Sequence, residues 1–131
     1  MMERILVVDD EKPVREAVGL LLKAEGFRVV VAECGHVAVS AIEAFTFDVV
    51  IVDIVMPGLD GLETIGVLRQ DAPGVSIIAM SGYAAGSGLG EDDFFRAAME
   101  RGATCCLSKP FTREQLLDAV EFCRLSRSMV A

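Results

Sequence analysis

Four short apolar runs, each closed by a reactive polar residue, constrain this chain more than any other feature. Ile5-Leu6-Val7-Val8 runs into Asp9-Asp10, Val49-Val50-Ile51-Val52 into Asp53, Ile77-Ile78-Ala79-Met80 into Ser81, and Cys105-Cys106-Leu107-Ser108 into Lys109. Runs of this length, rich in β-branched residues, read as strands buried on both faces, which is the pattern of a parallel sheet. In an open parallel sheet the C-terminal strand ends share one edge, and ligands bind along it. Three carboxylates, a hydroxyl and an amine, spread over about a hundred residues of sequence, are therefore expected to converge on one site.

Between the runs the periodicity changes to that of helices. Strands read at about 4–9, 27–32, 48–53, 75–80 and 103–108, and helices at about 13–25, 36–45, 60–70, 91–101 and 112–125. The first helix places Val14, Ala17, Val18, Leu21 and Leu22 on one face. Pro13 suits its first turn, where a missing N–H costs nothing, and Gly26 suits its C-terminal cap. The second helix presents Ala38, Ala41, Ile42 and Phe45, and the fifth Leu116, Leu117, Val120 and Cys123. Five βα units of this kind predict one α/β domain over residues 1–131, a parallel sheet covered by helices on both faces, with no output domain. The glycine-rich stretch Ala84-Ala85-Gly86-Ser87-Gly88-Leu89-Gly90 is expected to be a mobile loop.

Several function classes fall away. The longest apolar runs are a few residues, against the roughly 20 that a membrane-spanning helix needs. The N-terminus enters a strand almost at once without a secretory pattern, which predicts a cytoplasmic protein. A net charge of −8 argues against a nucleic-acid partner, whose phosphates would be repelled. Cys34, Cys105, Cys106 and Cys123 form no Cys-x-x-Cys pair and read as reduced, at least partly buried thiols rather than a zinc or redox site. His36 reads as a solvent-facing residue at a helix start.

The residues at the sheet edge suit a metal ion and a phosphoryl group. Asp9, Asp10 and Asp53 would repel one another at close range, and a hard divalent cation such as Mg²⁺ (Mn²⁺ as a substitute) resolves this with oxygen ligands and retained waters. Such a cation also shields phosphoryl oxygens. Lys109 adds a positive charge and Ser81 a hydroxyl donor. Asp53, alone at the end of the central strand, is the best nucleophile, since a carboxylate can form an acyl phosphate. Asp60 reads as a cap of the third helix, Glu11 as a loop residue with an outer-shell role at the metal as its alternative, and Met56-Pro57-Gly58 as the shaper of the loop after Asp53.

Val7-Val8-Asp9-Asp10-Glu11, the segment from Val52-Asp53 through Met56-Pro57-Gly58-Leu59-Asp60-Gly61, Ser81-Gly82 and Ser108-Lys109-Pro110-Phe111 together resemble the motifs of the receiver domain of two-component response regulators. The resemblance covers essentially the whole chain, with the motifs in order. It implies a flavodoxin-like doubly wound (βα)5 fold with a five-stranded parallel sheet in the order 2-1-3-4-5. It implies that Asp53 takes a phosphoryl group from a sensor histidine kinase or a histidine phosphotransfer protein, and that the chain catalyses only its own phosphorylation and slow dephosphorylation. Asp10, Asp53 and the Val55 carbonyl would hold Mg²⁺ directly, with Asp9 acting through water. Ser81 and Lys109 would bind the phosphoryl oxygens, and Lys109–Pro110 would be a cis peptide. The face made by the fourth helix, fifth strand and fifth helix would respond to phosphorylation, and a monomer or a weak homodimer through that face is expected. Of Phe94, Phe95, Phe111 and Phe122 in that region, most are expected in the core and one exposed.

Two departures from the family matter. Many receivers carry Tyr or Phe three residues before the lysine, and here that position is Cys106. Signalling is therefore expected to rely on the loop 82–90 and the fourth helix, with Tyr83 more an exposed loop residue than a substitute ring. Val55, two residues after the acceptor, offers nothing to orient a hydrolytic water, which predicts slow autodephosphorylation.

Other classes fit less well. A haloacid dehalogenase-like phosphatase needs an acid two residues after its nucleophile, where Val55 stands. A nucleotide or flavin domain needs a glycine- or hydroxyl-rich loop after the first strand, where the chain has Asp9-Asp10-Glu11-Lys12-Pro13. The remaining alternatives are a receiver excised from a larger regulator and a receiver-like binding module that takes no phosphate, against which the complete acceptor set argues.

Overall fold

The structure, a computed structural model, describes residues 3–55, 61–82 and 91–128. The expectations for Met56-Pro57-Gly58, Asp60, Tyr83 and the glycine-rich stretch lie outside those residues. Five strands and five helices alternate: β1 Arg4–Val8, α1 Lys12–Ala24, β2 Arg28–Ala32, α2 Gly35–Ala44, β3 Val49–Asp53, α3 Gly61–Asp71, β4 Ser76–Ser81, α4 Glu91–Arg101, β5 Cys105–Ser108 and α5 Arg113–Ser128. The strands form one parallel sheet in the order β2-β1-β3-β4-β5, as the resemblance implied.

The inner strands are apolar throughout because both of their faces are covered. Leu6, Val8, Val50, Val52, Ile77 and Ala79 face one core, closed by Ala38, Ile65, Leu68 and Ala98 of α2, α3 and α4. Ile5, Val7, Val49, Ile51, Ile78 and Met80 alternate to the other face, closed by Val18 and Leu22 of α1 and Leu116, Val120 and Cys123 of α5. The two-residue period of the strands thus divides the helices between the faces.

Backbone chemistry ends the helices where the sequence suggests. Pro13 lies in the first turn of α1. Gly26 follows its last residues at φ +96°, with its N–H on the Lys23 carbonyl and the Phe27 N–H on the Leu22 carbonyl. Gly102 closes α4 likewise at φ +115°, with the Ala103 N–H reaching back to Ala98. Only a residue without a side chain adopts that backbone freely.

Two core expectations are corrected. Ala17 is exposed, and the inner stripe of α1 is Val18, Gly19 and Leu22. Gly19 faces Val29 and Val31 of β2, a position that an apolar periodicity does not register. Phe45 is 54% exposed because α2 ends at Ala44 and Phe45 has extended backbone. Its ring meets Phe47 edge-on, with centroids 6.5 Å apart, and lies 5.5 Å beneath the Arg4 guanidinium.

Candidate functional site

The sheet brings its reactive residues to one edge. Asp9 follows β1, its N–H bonded to the Ala32 carbonyl of β2 at 3.1 Å, and is completely buried. Asp53 is the last residue of β3, opposite Met80 of β4, and is 3% exposed. Ser81 ends β4 opposite Ser108, and the Lys109 N–H bonds its carbonyl at 2.8 Å. Strand pairing alone therefore sets Asp9, Asp53, Ser81 and Lys109 side by side.

The Lys109 ammonium lies between two carboxylates, donating to Asp9 Oδ2 at 2.7 Å and to Asp53 Oδ2 at 3.0 Å. The other oxygens of the same carboxylates take backbone donors: Asp9 Oδ1 accepts from the Glu11 N–H and Asp53 Oδ1 from the Val55 N–H, both at 2.9 Å. The Ser81 hydroxyl donates to the Gly82 carbonyl at 3.0 Å. Lys109–Pro110 is cis, as the resemblance implied.

Burial dominates the electrostatics of Asp53. It pushes the carboxyl above the usual carboxylate range, against the Val55 N–H and the Lys109 bond and charge, which pull it down, while the Asp9 charge adds to the rise. For Lys109, burial pulls downward, but the hydrogen bonds and charges of Asp9 and Asp53 outweigh it and hold the ammonium above its ordinary value. The lysine is thus a permanent counter-cation for the two buried carboxylates.

Asp9, Asp10, Glu11 and Asp53 each offer a carboxylate oxygen, and these oxygens lie within 4.8 Å of one another. Such a set of hard oxygen donors, already drawing an internal ammonium, fits a divalent cation of the Mg²⁺ type. Asp10 and Glu11 are exposed and open to solvent. Glu11 lies in the loop before α1, as read from the sequence, and its carboxylate joins the acidic cluster. Arg15, which the sequence does not mark, donates Nη1 to the Asp9 carbonyl at 2.8 Å and so holds the acidic turn. Val55 contributes its backbone N–H and leaves its side chain 40% exposed.

Further from the edge, Cys106 takes the place of the ring, half-buried against the core beside Phe94 and Phe95, its Sγ 3.9 Å from the Phe95 carbonyl. Burial and the neighbouring Cys105 push its thiol up to about 11. Of the four phenylalanines, Phe94, Phe95 and Phe111 pack on the cores and Phe122 is 52% exposed. His36 is exposed in the first turn of α2. The four cysteines are free thiols, with Cys123 buried and the others half-buried. A groove of about 460 Å³ runs beside Lys109, walled by Pro13, Val14 and Val18 of α1 and by Pro110 and Phe111.

A five-stranded doubly wound sheet with clustered acids and a lysine at its C-terminal edge defines a class, and comparison with known proteins gives it a family. The chain belongs to the response regulator receiver domains, whose family model matches residues 5–121, and these are modules of two-component systems. It is 37% identical to the response regulator MprA of Mycolicibacterium vanbaalenii over 117 residues, covering 89% of this chain and 48% of that protein. It is 32% identical to the response regulator protein FleR of Pseudomonas aeruginosa over 120 residues, covering 92% of this chain and 24% of that protein. The chain therefore spans a quarter to a half of the length of these relatives. Among solved structures, the Vibrio cholerae chemotaxis protein CheY4 superposes with a TM-score of 0.81 at 28% identity, over 92% of this chain and 98% of that one. Among the described residues no helix is long and apolar enough to cross a membrane.

Proposed function

We propose that the chain is a phosphoacceptor switch in which Asp53 takes a phosphoryl group from a phosphohistidine of a sensor kinase or phosphotransfer protein. An Asp53 oxygen attacks phosphorus, the O–P bond forms as the N–P bond breaks, and the departing imidazole nitrogen takes a proton from solvent. Asp10, Asp53 and the Val55 carbonyl would hold the cation. Asp9, buried with both oxygens engaged, acts on it through water. Mg²⁺, or Mn²⁺ in its place, supplies shielding of the phosphoryl oxygens and of the converging carboxylates.

The chain's own residues do the rest. Lys109 leaves its bridge between Asp9 and Asp53 for a phosphoryl oxygen, and the Ser81 hydroxyl exchanges the Gly82 carbonyl for another. The observation that carries this reading is the Lys109 ammonium bonded to carboxylates from two different strands at 2.7 and 3.0 Å. The apolar groove beside Lys109 gives a donor helix a place to lie while its phosphohistidine reaches Asp53. Output passes through the face of α4, β5 and α5 to a protein partner, the chain acting as a monomer or weak homodimer in the cytoplasm. An acidic chain of net charge −8 has no use for nucleic acid as a direct ligand.

The test is the intact mass after incubation with acetyl phosphate, with and without Mg²⁺, beside Asp53→Ala. Gain of one phosphoryl group that needs both Mg²⁺ and Asp53 supports the switch. No gain together with no Mg²⁺ binding leaves a binding module that works without phosphate.

A further inference from the structure

Gly61, the first residue of α3, sits against the backbone that carries the acceptor. A Cβ placed on it would lie 2.1 Å from the Asp53 carbonyl oxygen, 2.2 Å from Ile54 Cα and 2.8 Å from the Asp53 carbonyl carbon. All three are backbone atoms, so no side chain can turn aside. Gly66, five residues on in the same helix, has open space around it, and Gly19 and Gly82 have only ordinary contacts at 3.7 and 3.8 Å. Gly61 belongs to the helix itself, so the requirement is for space rather than for an unusual backbone.

The backbone it touches is the one that aims the nucleophile. Asp53 pairs with Met80, Ile54 donates its N–H to the Met80 carbonyl at 2.9 Å, and Val55 donates to Asp53 Oδ1 at 2.9 Å. Opening 2.1 Å to the 3.4 Å of an ordinary contact moves one backbone past the other by more than an ångström. Displacement of the Asp53–Val55 segment on that scale shifts the carboxylate relative to Lys109 and strains the Val55 bond. Phosphoryl transfer depends on near-in-line placement, and a misplacement of about 1 Å costs on the order of 100-fold in rate.

We propose that Gly61 is a positioning residue for phosphoryl transfer: its missing side chain lets α3 abut the Asp53–Ile54 peptide and hold the carboxylate at its transfer geometry. The proposal rests on Asp53 being the acceptor. It predicts a loss in the rate of the chemical step rather than in the capture of the phosphodonor.

The experiment compares the full chain with Gly61→Ala, Gly66→Ala and the double variant, timing acetyl phosphate labelling by intact mass at saturating Mg²⁺. Gly66→Ala should label like the parent. Gly61→Ala should keep the half-saturating acetyl phosphate concentration while its maximal rate falls on the order of 100-fold, with amide shifts in an NMR spectrum centred on Val55 and Lys109. Should Gly61→Ala fold poorly, the double variant carries the test, since alanine for glycine in an open helical position stabilises the helix. A folded Gly61→Ala chain labelling at the parent's rate overturns the proposal, as does a double variant that stays unfolded, which would make Gly61 a packing requirement only. A parent chain that takes no phosphoryl group overturns the acceptor reading and this proposal with it.

Discussion

The Lys109 ammonium stands 3.0 Å from the Asp53 carboxylate across 56 residues of sequence, and the same nitrogen is 2.7 Å from Asp9. One cation thereby serves two carboxylates that are almost wholly buried. This has a cost when the lysine is lost. Lys109→Ala leaves Asp9 and Asp53 facing each other without a counter-charge, and breaking a buried pair from one side costs about 3 kcal/mol or more. We expect urea unfolding of Lys109→Ala to show a loss of that order without divalent cations. Mg²⁺ should return part of it, because a second cation can take the lysine's place in the cluster. An unchanged midpoint would mean that the ammonium contributes nothing net.

The same bridge sets a dependence on pH. Lys109 is held above its ordinary value of 10.5, so the folded state binds its proton more tightly than the unfolded chain does. Its contribution to stability is fully present below 10.5 and is lost as pH rises through the higher folded value. Asp53 is also raised, from 3.8, by burial first, so its protonated form is favoured by folding. Its contribution lies on the acid side and is lost as pH rises through the folded value. Carbon NMR of the Asp53 carboxyl should titrate above 3.8 in the parent and higher still in Lys109→Met, since the lysine's bond and charge pull it down. A lower midpoint in Lys109→Met would contradict the assignment of those effects.

A second cation works purely in the scaffold. Arg69 of α3 donates Nε and Nη2 to the Gly102 carbonyl at 3.1 and 2.7 Å. Its Nη1 donates to the Pro73 and Val75 carbonyls at 2.8 and 2.6 Å. It ties the end of α3 to the entrance of β4 and the end of α4, and burial pulls its guanidinium below the ordinary value without removing its charge. Arg69→Met should lower unfolding stability by about 2 kcal/mol, with Arg69→Lys recovering little because a point charge cannot reproduce the fork. The folded fraction should label with acetyl phosphate at the parent's rate.

Much of this was legible in the sequence, for a physical reason. Asp9, Asp53, Ser81 and Lys109 each close a run of buried strand residues, so the topology that buries the runs also gathers their ends. Phe45 was misread because its apolar character continues the α2 pattern one residue past the point where the backbone leaves the helix. Ala17 continues the apolar period of α1 but lines the open groove beside Lys109, while Gly19, which carries no apolar signal, is buried. Arg15 and Arg69 act on backbone carbonyls that no side-chain pattern encodes. The demand at Gly61 is invisible for a similar reason, since it arises from another strand's backbone.

Val55 bears on how long the switch stays on. Its N–H holds Asp53 Oδ1 while its side chain, 40% exposed, lies two residues after the acceptor and carries no polar atom. Hydrolysis of an aspartyl phosphate needs water placed in line with the O–P bond, and an isopropyl group cannot hydrogen-bond one there. Asn at this position offers both a donor and an acceptor at the mouth of the site. Val55→Asn should therefore shorten the lifetime of the phosphorylated chain by on the order of tenfold, an effect of water placement. Its backbone N–H is unchanged, so the rate of labelling by acetyl phosphate should stay close to the parent's. Following the decay of the phosphorylated mass after removal of acetyl phosphate separates the two rates. A native lifetime no longer than that of Val55→Asn would show that water reaches the acyl phosphate without help from this position.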